Sequence, residues 1–318
     1  MQVSFIFHDE IILVNKDSIL MYPNTLLSKM LTSGVGIDRD LMGNIILTEY
    51  EEYFTYIEDI YNYKLKSLKD LLIHNLKLIS KDGKYIPDIF YKNHYYNILE
   101  MLDYYGFENF KADRIENVDL NFVKSKIDLE LSNINKNLLS FLRTNNIYIS
   151  GNYLLSKFTN IIFNNVIEMY ISESDMASMI SVAIWEYPLK FKGKVENSLK
   201  DNLGYNQIKA FNIVDYGSIT KGIMQEITFM IGNNKFKLNV VKGNVKSIIF
   251  NHAFNFNLAY YDTFTLFHSD KDSLQNKESY NKYRHPYIKY DEESSFINNL
   301  DEIRSYLYMK FMIFVDNS

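Results

Sequence analysis

The sequence predicts an α+β protein made of two globular parts with a helical stretch between them, and three observations carry that prediction. Short β-branched runs alternate with amphipathic helical runs over residues 1–110. A polar stretch with helical periodicity fills 111–146. A second alternation of strands and helices, including a hairpin signature, occupies 147–318. At 318 residues, with 47% hydrophobic and 23% charged side chains, the chain is large enough for each part to bury its own core.

Bulk chemistry narrows the function. The absence of cysteine excludes disulfides, thiolate metal sites and cysteine nucleophiles, and favours an intracellular protein. The first ten residues carry no basic region ahead of their apolar run and reach Asp9-Glu10, which argues against a secretory signal. Apolar runs stop short of the roughly 18–20 residues of a membrane span, so no membrane partner is expected. A net charge of −5 disfavours indiscriminate nucleic-acid binding, leaving only a local basic patch to support it. The 26 tyrosines and 22 phenylalanines, beside only 4 prolines, have the look of an AT-rich genome and carry little functional weight.

In the first part, Val3-Ser4-Phe5-Ile6-Phe7 and Glu10-Ile11-Ile12-Leu13-Val14 read as paired strands around His8-Asp9, and Asp17-Ser18 as a cap. Tyr22-Pro23-Asn24-Thr25 opens a helix with Leu26, Leu27, Met30 and Leu31 on one face. After Gly34 and Gly36 come a strand, Asn44-Ile45-Ile46-Leu47, and a helix bearing Tyr53, Phe54, Ile57, Ile60 and Tyr61. A closing helix carries Ile98, Leu99 and Leu102 and ends in Asp103-Tyr104-Tyr105-Gly106-Phe107. Together these pieces resemble a BTB/POZ domain of the potassium-channel tetramerisation type. The departure is 68–87, which is longer than that pattern and contains an unplaced Lys81-Asp82-Gly83-Lys84 turn. The resemblance implies homo-oligomerisation or partner binding, including a cullin-type ligase as partner, rather than catalysis. Val3, Phe5 and Phe7 alternate with period two and are the candidate self-association edge; the same alternation equally suits core residues of a monomer.

From 111 to 146, Val118, Leu120, Phe122, Val123, Ile127, Leu129, Leu131, Ile134, Leu138 and Leu139 punctuate a polar background, giving a helical connector broken near Asn133 to Asn137 that packs onto one of the two parts or spaces them, the wide apolar face favouring packing. The second part then reads strand (147–149), Ser150-Gly151 turn, helix (Leu154, Leu155, Phe158, Ile161, Ile162), strand (166–171). Backbone N–H groups at such a helix start can face a phosphate, so Ser150, Gly151 and Asn152 are the candidate nucleotide-binding residues. Ser172-Glu173-Ser174-Asp175 starts a further helix leading towards Trp185, Asp215-Tyr216-Gly217-Ser218 reads as a loop, and Gly232-Asn233-Asn234 turns a hairpin.

The layout resembles the nucleotidyltransferase superfamily, with its Gly-Ser or Gly-Gly turn, helix, and strand carrying Asp-x-Asp. Here the two acidic positions fall on Val166 and Glu168. A later Phe-Asp-Phe strand would supply the third carboxylate, and here it reads Phe254-Asn255-Phe256, followed by Tyr261-Asp262. A final match, Lys282-Tyr283-Arg284-His285-Pro286-Tyr287-Ile288, lacks the family's Arg-Gly. The resemblance implies a catalytically degenerate domain like those of giant DNA viruses, working in host cytoplasm or virion, with no cofactor. Two-metal chemistry needs hard oxygen ligands, which Val166 cannot supply and Asn255 supplies only as a neutral carbonyl. Asp175, Asp262 and Asp270 are acids outside the strand frame, each with an ordinary role as cap or turn residue. The expectation is a pseudoenzyme acting as scaffold or adaptor; the alternative is a nucleotide- or RNA-binding module or a residual metal-dependent transferase.

Other constellations are thin. The histidines at 8, 74, 94, 252, 268 and 285 include no i, i+3 or i, i+4 pair, so no metal site is expected. Lys190-Phe191-Lys192-Gly193-Lys194 interleaves cations with a ring but reads as a solvated loop, and the tyrosine-rich 280–290 suits packing as well as base stacking.

Overall fold

A computed structural model describes residues 1–7, 10–33, 37–82, 85–161, 166–181, 188–220, 222–250, 254–281 and 296–315. The architecture is α+β with mixed sheets, in two compact units: Met1–Asp113 with Tyr290–Ser318, and Arg114–Lys289. This division differs from one at 110 and 146. The helices expected as a connector belong to the second unit, and the last helix and strand return to the first. His8-Asp9, Gly34, Gly36, Gly83-Lys84, Ile162, Trp185, His252 and the 282–288 match lie outside the described residues.

In the first unit, β1 (Gln2–Phe7) and β2 (Glu10–Asn15) form the expected antiparallel hairpin, Phe5 opposite Ile12. Asn15, rather than Asp17, caps α1 (Lys16–Leu20) by accepting from the Asp17 amide. Then come α2 (Leu26–Ser33) and β3 (Ile45–Ile46), which runs parallel to β1 and gives the order β2-β1-β3. β1 is therefore the central strand, hydrogen-bonded on both sides, and not an edge. Val3, Phe5 and Phe7 are 6%, 0% and 1% exposed, and both phenylalanines pack on Phe54 of α3 (Phe54–Tyr63). They are core residues, which corrects their assignment to self-association. The sheet's outer face instead presents Ile11, Leu13 and Ile46 to solvent.

The long 68–87 segment resolves into α4 (Leu68–Asp82), whose Leu71, Leu72, Leu76 and Ile79 are buried. α5 (Lys92–Tyr104) closes the run, and Tyr105 and Phe107 are buried beyond it. A helix, Leu300–Tyr308, and a strand, Met312–Val315, complete this unit. Phe296 meets Phe90 at 5.3 Å and Phe314 meets Tyr95 at 5.3 Å, so aromatic burial carries the chain's end here.

The second unit opens with α6 (Leu120–Ile134), capped by the Asp119 carboxylate, and α7 (Leu138–Thr144), with the break where Asn133 to Asn137 predicts it. Then follow β4 (Tyr148–Ser150), α8 (Asn152–Thr159), β5 (Val166–Ser172), α9 (Glu173–Ile180) and α10 (Pro188–Leu203). Ser172 caps α9 by accepting from the Asp175 amide. α10 absorbs the Lys190–Lys194 cluster, expected as a loop, because Phe191, Val195, Leu199 and Leu203 bury one helical face. Next are β6 (Ile208–Thr220), β7 (Ile223–Ile231) and β8 (Asn234–Val241), followed by α11 (Val245–Ile249), β9 (Ala259–Tyr261), β10 (Leu266–His268), α12 (Lys271–Asn276) and β11 (Glu278–Asn281). The stretch Asp215 to Ser218, read as a loop, lies inside β6; Asp215 pairs with Gln225 of β7, and the register is irregular from there to Thr220.

Seven strands form one sheet in the order β10-β9-β4-β5-β8-β7-β6, antiparallel except for the β5–β8 pair. Its apolar face, with Ile149, Ile167, Met169, Phe236, Leu238 and Phe229, is buried. α6 fastens to it: the Tyr261 hydroxyl donates to Asp128, which also takes the Lys124 ammonium at 2.7 Å, while Lys157 of α8 pairs with Glu130. The opposite face carries the polar residues. Among the described residues, no helix is long and apolar enough to cross a membrane.

Candidate functional site

β4, Gly151, α8 and β5 form the strand, turn, helix and strand that the sequence spacing predicts. Gly151 has φ +76° and ψ −154°, a conformation that side-chain-bearing residues seldom adopt. A Cβ at that position would also run into Oε2 of Glu168, which lies across from Ser150 in the β4–β5 register. The start of α8 therefore already has a carboxylate beside it, the kind of group that helix N-termini favour. Ser150 is fully buried and its hydroxyl donates to the Ala259 carbonyl at 2.6 Å, so it joins β4 to β9 rather than offering itself to a phosphate. Asn152 is the first residue of α8 and is half-buried.

Strand pairing decides the electrostatics. β5 and β8 are parallel, with Val166 opposite Lys235 and Glu168 opposite Lys237. Each of the two positions where the resemblance places an acid thus faces a lysine. Lys237 also reaches Glu226 of β7, its Nζ 2.8 Å from Oε2, with 29% and 17% of the two side chains exposed. One residue pair further along, Tyr170, Asn239 and Glu226 form a row across β5, β8 and β7. Burial, then Glu168, then Glu226 push the Tyr170 hydroxyl's pKa up, so both carboxylates bear on the same buried phenol. Asn239 is 1% exposed, and its Oδ1 has no hydrogen-bond partner.

The arrangement suits ion-pair neutralisation. For unit charges 4 Å apart at an effective dielectric constant of 20, attraction is about 4 kcal/mol, doubled to about 8 for a divalent ion. Lys237 would cancel about half of what Glu168 and Glu226 together offer such an ion at equal distances. Val166 adds no ligand. Among the described residues, no three His, Cys, Asp or Glu side chains gather to hold a metal. The residues described do not fit the magnesium pair of two-metal nucleotidyl transfer.

Phe254-Asn255-Phe256 does not form the expected strand. Phe254 makes a single bridge to Asn281, and 255–257 is a 3-10 turn closed by the Asn257 amide on the Phe254 carbonyl. The two phenyl rings stack 5.6 Å apart in the core, which fixes the segment by burial instead of by sheet pairing. The Asn255 side chain lies outside the described residues. The other acids have local roles: Asp175, expected as a cap, instead receives the hydroxyl of the capping Ser172, Asp262 closes the β9–β10 turn as expected, and Asp270, expected in a turn or at the surface, caps α12.

Sequence reasoning missed Lys235 and Lys237. Their period-two spacing in the hairpin strand was the available signal, but it does not say which strand lies alongside. A groove of about 840 Å3 opens at the other end of α8, with Lys126, Glu130, Tyr153, Lys157, Ile167 and Gly232 among its walls; Ser150, Gly151, Glu168 and Lys237 take no part in it. Burial followed by the Glu130 charge raises the pKa of the Tyr153 hydroxyl there.

No protein-family model and no curated protein matches the chain. Among solved structures, a Thermotoga maritima CCA-adding enzyme complexed with tRNA is similar at 12% identity and a TM-score of 0.35, over 58% of this chain and 39% of that one. A likeness of that size assigns neither family nor activity.

Proposed function

We propose that this is a non-catalytic binding protein whose second unit keeps the strand–turn–helix–strand frame of a nucleotidyltransferase while its acid positions have been neutralised. The observation that carries the reading is the β5–β8 register, which sets Lys235 against Val166 and Lys237 against Glu168. Phosphoryl-transfer chemistry is positioning plus charge stabilisation, and a lysine paired with Glu226 and set beside Glu168 in the strand register opposes the metal ions that chemistry needs. The test is calorimetry of the full chain with ATP and with UTP, with and without magnesium. The expected trace shows no magnesium-dependent heat; nucleotide binding that requires the metal would overturn the reading.

We infer further that the first unit self-associates in the manner of a BTB domain, a reading suggested by the sequence resemblance and compatible with a hairpin whose third strand runs parallel to β1. Its contact surface is not Val3, Phe5 and Phe7 but the outer sheet face bearing Ile11, Leu13 and Ile46, which are 53%, 51% and 39% exposed. Light scattering at micromolar concentration should give an oligomer that Leu13→Lys disrupts. A monomeric wild type would remove the assembly half of the proposal. A cullin-type ligase is the partner suggested by family analogy alone, and a pull-down against purified cullin tests it.

A further inference from the structure

At the β10 end of the large sheet, on the same face as Glu168, rings from three neighbouring strands form a row. Tyr148 of β4 meets Tyr260 of β9 edge-on at 5.7 Å, and Tyr260 stacks on Phe267 of β10 at 5.4 Å with 24° between planes. Phe250, just after α11, closes against both Tyr260 and Phe267. Cations lie over these rings. Lys246 Nζ is 4.5 Å from the Tyr260 centroid and 5.7 Å from that of Tyr148, and Lys242, three residues before α11, is exposed. The hairpin joining β9 to β10 adds a second stack, the Arg143 guanidinium 4.5 Å from the Phe264 ring.

Burial explains the inner rings but not the outer ones. Tyr260 is 8% exposed and packs in a core with Val241, Val245 and Ile249. Phe267, on the edge strand, is 40% exposed, and Phe264 is 68% exposed. A core needs neither ring at the surface, and no charged ligand is needed to hold a cation over a ring that is already buried. The nearby acid, Asp262, is committed to the backbone amides of Phe264 and Thr265. What the surface offers is the Phe264 ring beside Arg143, and Phe267 stacked on the Tyr260 ring over which Lys246 lies.

We propose that this end of the sheet is a stacking platform for single-stranded nucleic acid, with bases on Phe267 and Phe264 and phosphates near Lys246, Lys242 and Arg143. Unpaired bases present π-faces that a duplex keeps in its own stack, and the adjoining cations suit a polyanion. An acidic peptide would satisfy the cations but leave the rings without planar partners. This inference uses different residues from the neutralised carboxylate site and stands or falls separately from it.

The test is fluorescence anisotropy of the full chain with labelled 12-nucleotide oligo(U), oligo(dT) and a duplex of the same length, at several salt concentrations. Single strands should bind more tightly than duplex, with affinity falling as salt rises. Alanine at Phe264 or Phe267 should weaken binding about tenfold each, within the range for loss of one base–aromatic stack. Lys246→Glu should weaken it and flatten the salt slope by about 0.7, the loss of one phosphate contact. Phe264 and Lys246 carry little of the core, so their variants keep the test informative if Phe267→Ala fails to fold. Leu129→Ala, at an exposed aliphatic side chain on α6, should change nothing. The proposal is overturned if no single strand binds at 50 mM salt. It is also overturned if duplex or polyglutamate competes equally well, or if binding survives all three platform variants.

Discussion

Lys237→Glu is the sharpest probe of the neutralised site. The substitution changes the charge summed over Glu168, residue 237 and Glu226 from −1 to −3 and places three carboxylates where β5, β8 and β7 adjoin. By the estimate used above, a divalent ion near 4 Å loses a repulsion of about 8 kcal/mol and gains a comparable attraction, before the cost of stripping water from it. Hydration takes back most of that gain, so a dissociation constant of about 0.1 mM for manganese is a conservative expectation. At 10 mM manganese this stabilises the folded variant by about 2.7 kcal/mol. For a unit of this size, about 2–4 °C per kcal/mol converts that to roughly 5–11 °C in Tm. The assay is thermal unfolding of wild type and variant with and without manganese, each compared with itself so that the variant's own loss of stability cancels. Wild type should not respond. A wild-type shift as large as the variant's would show that Lys237 does not guard the site; no shift in a folded variant would show that the three carboxylates do not converge.

Other substitutions test the frame around the site. Gly151→Ala should cost about 2–4 kcal/mol in urea unfolding, from backbone strain at φ +76° plus the clash with Glu168 Oε2; pairing it with Glu168→Ala should recover the clash and leave the strain. His268 is 4% exposed, held between the Phe256 carbonyl on Nε2 and the Asp270 amide donating to Nδ1, and burial lowers its pKa. A lowered folded pKa means that its contribution is complete above the unfolded value of about 6.5 and is lost as pH falls below it. Stability should therefore decline from pH 7 to pH 5, and His268→Gln should flatten that decline. Phe5→Ala should lose about 3–5 kcal/mol, as expected for a core ring, whereas an assembly-edge residue would shift oligomer size at nearly unchanged stability.

Local rules made much of this fold legible. Period-two runs located β1, β2, β7 and β8, helical spacing located α3, α5, α6 and α8, and the Ser172 cap and the Gly232 turn lie where side-chain chemistry puts them. What stayed hidden depends on partners distant in sequence. Tyr216 and Gly217 have turn composition but lie in β6, within the irregular register that separates the Asp215 and Thr220 pairings with β7. Phe254 and Phe256 look like alternating strand residues, but their rings stack in the core around a 3-10 turn. Val3, Phe5 and Phe7 show the opposite limit: alternation identified a one-sided strand without saying whether its apolar side faced inward.

The same distinction separates lost ligands from a converted site. Val166 and Asn255 reveal, from sequence alone, that two carboxylates of the resembled pattern are absent, and absence by itself leaves a weakened metal site open. The β5–β8 crossover spans α9, α10, β6 and β7, so no local pattern announces that Lys235 and Lys237 will lie beside the first two acid positions. Once they do, the remaining Glu168 has a different physical role. Lys237 lies beside it in the strand register and pairs with Glu226, and both carboxylates bear on the buried Tyr170 hydroxyl. Restoring an aspartate at position 166 alone should therefore fail to restore metal binding, because the cation on β8 would remain. Manganese binding by Val166→Asp with Lys237 intact would refute that ordering of effects.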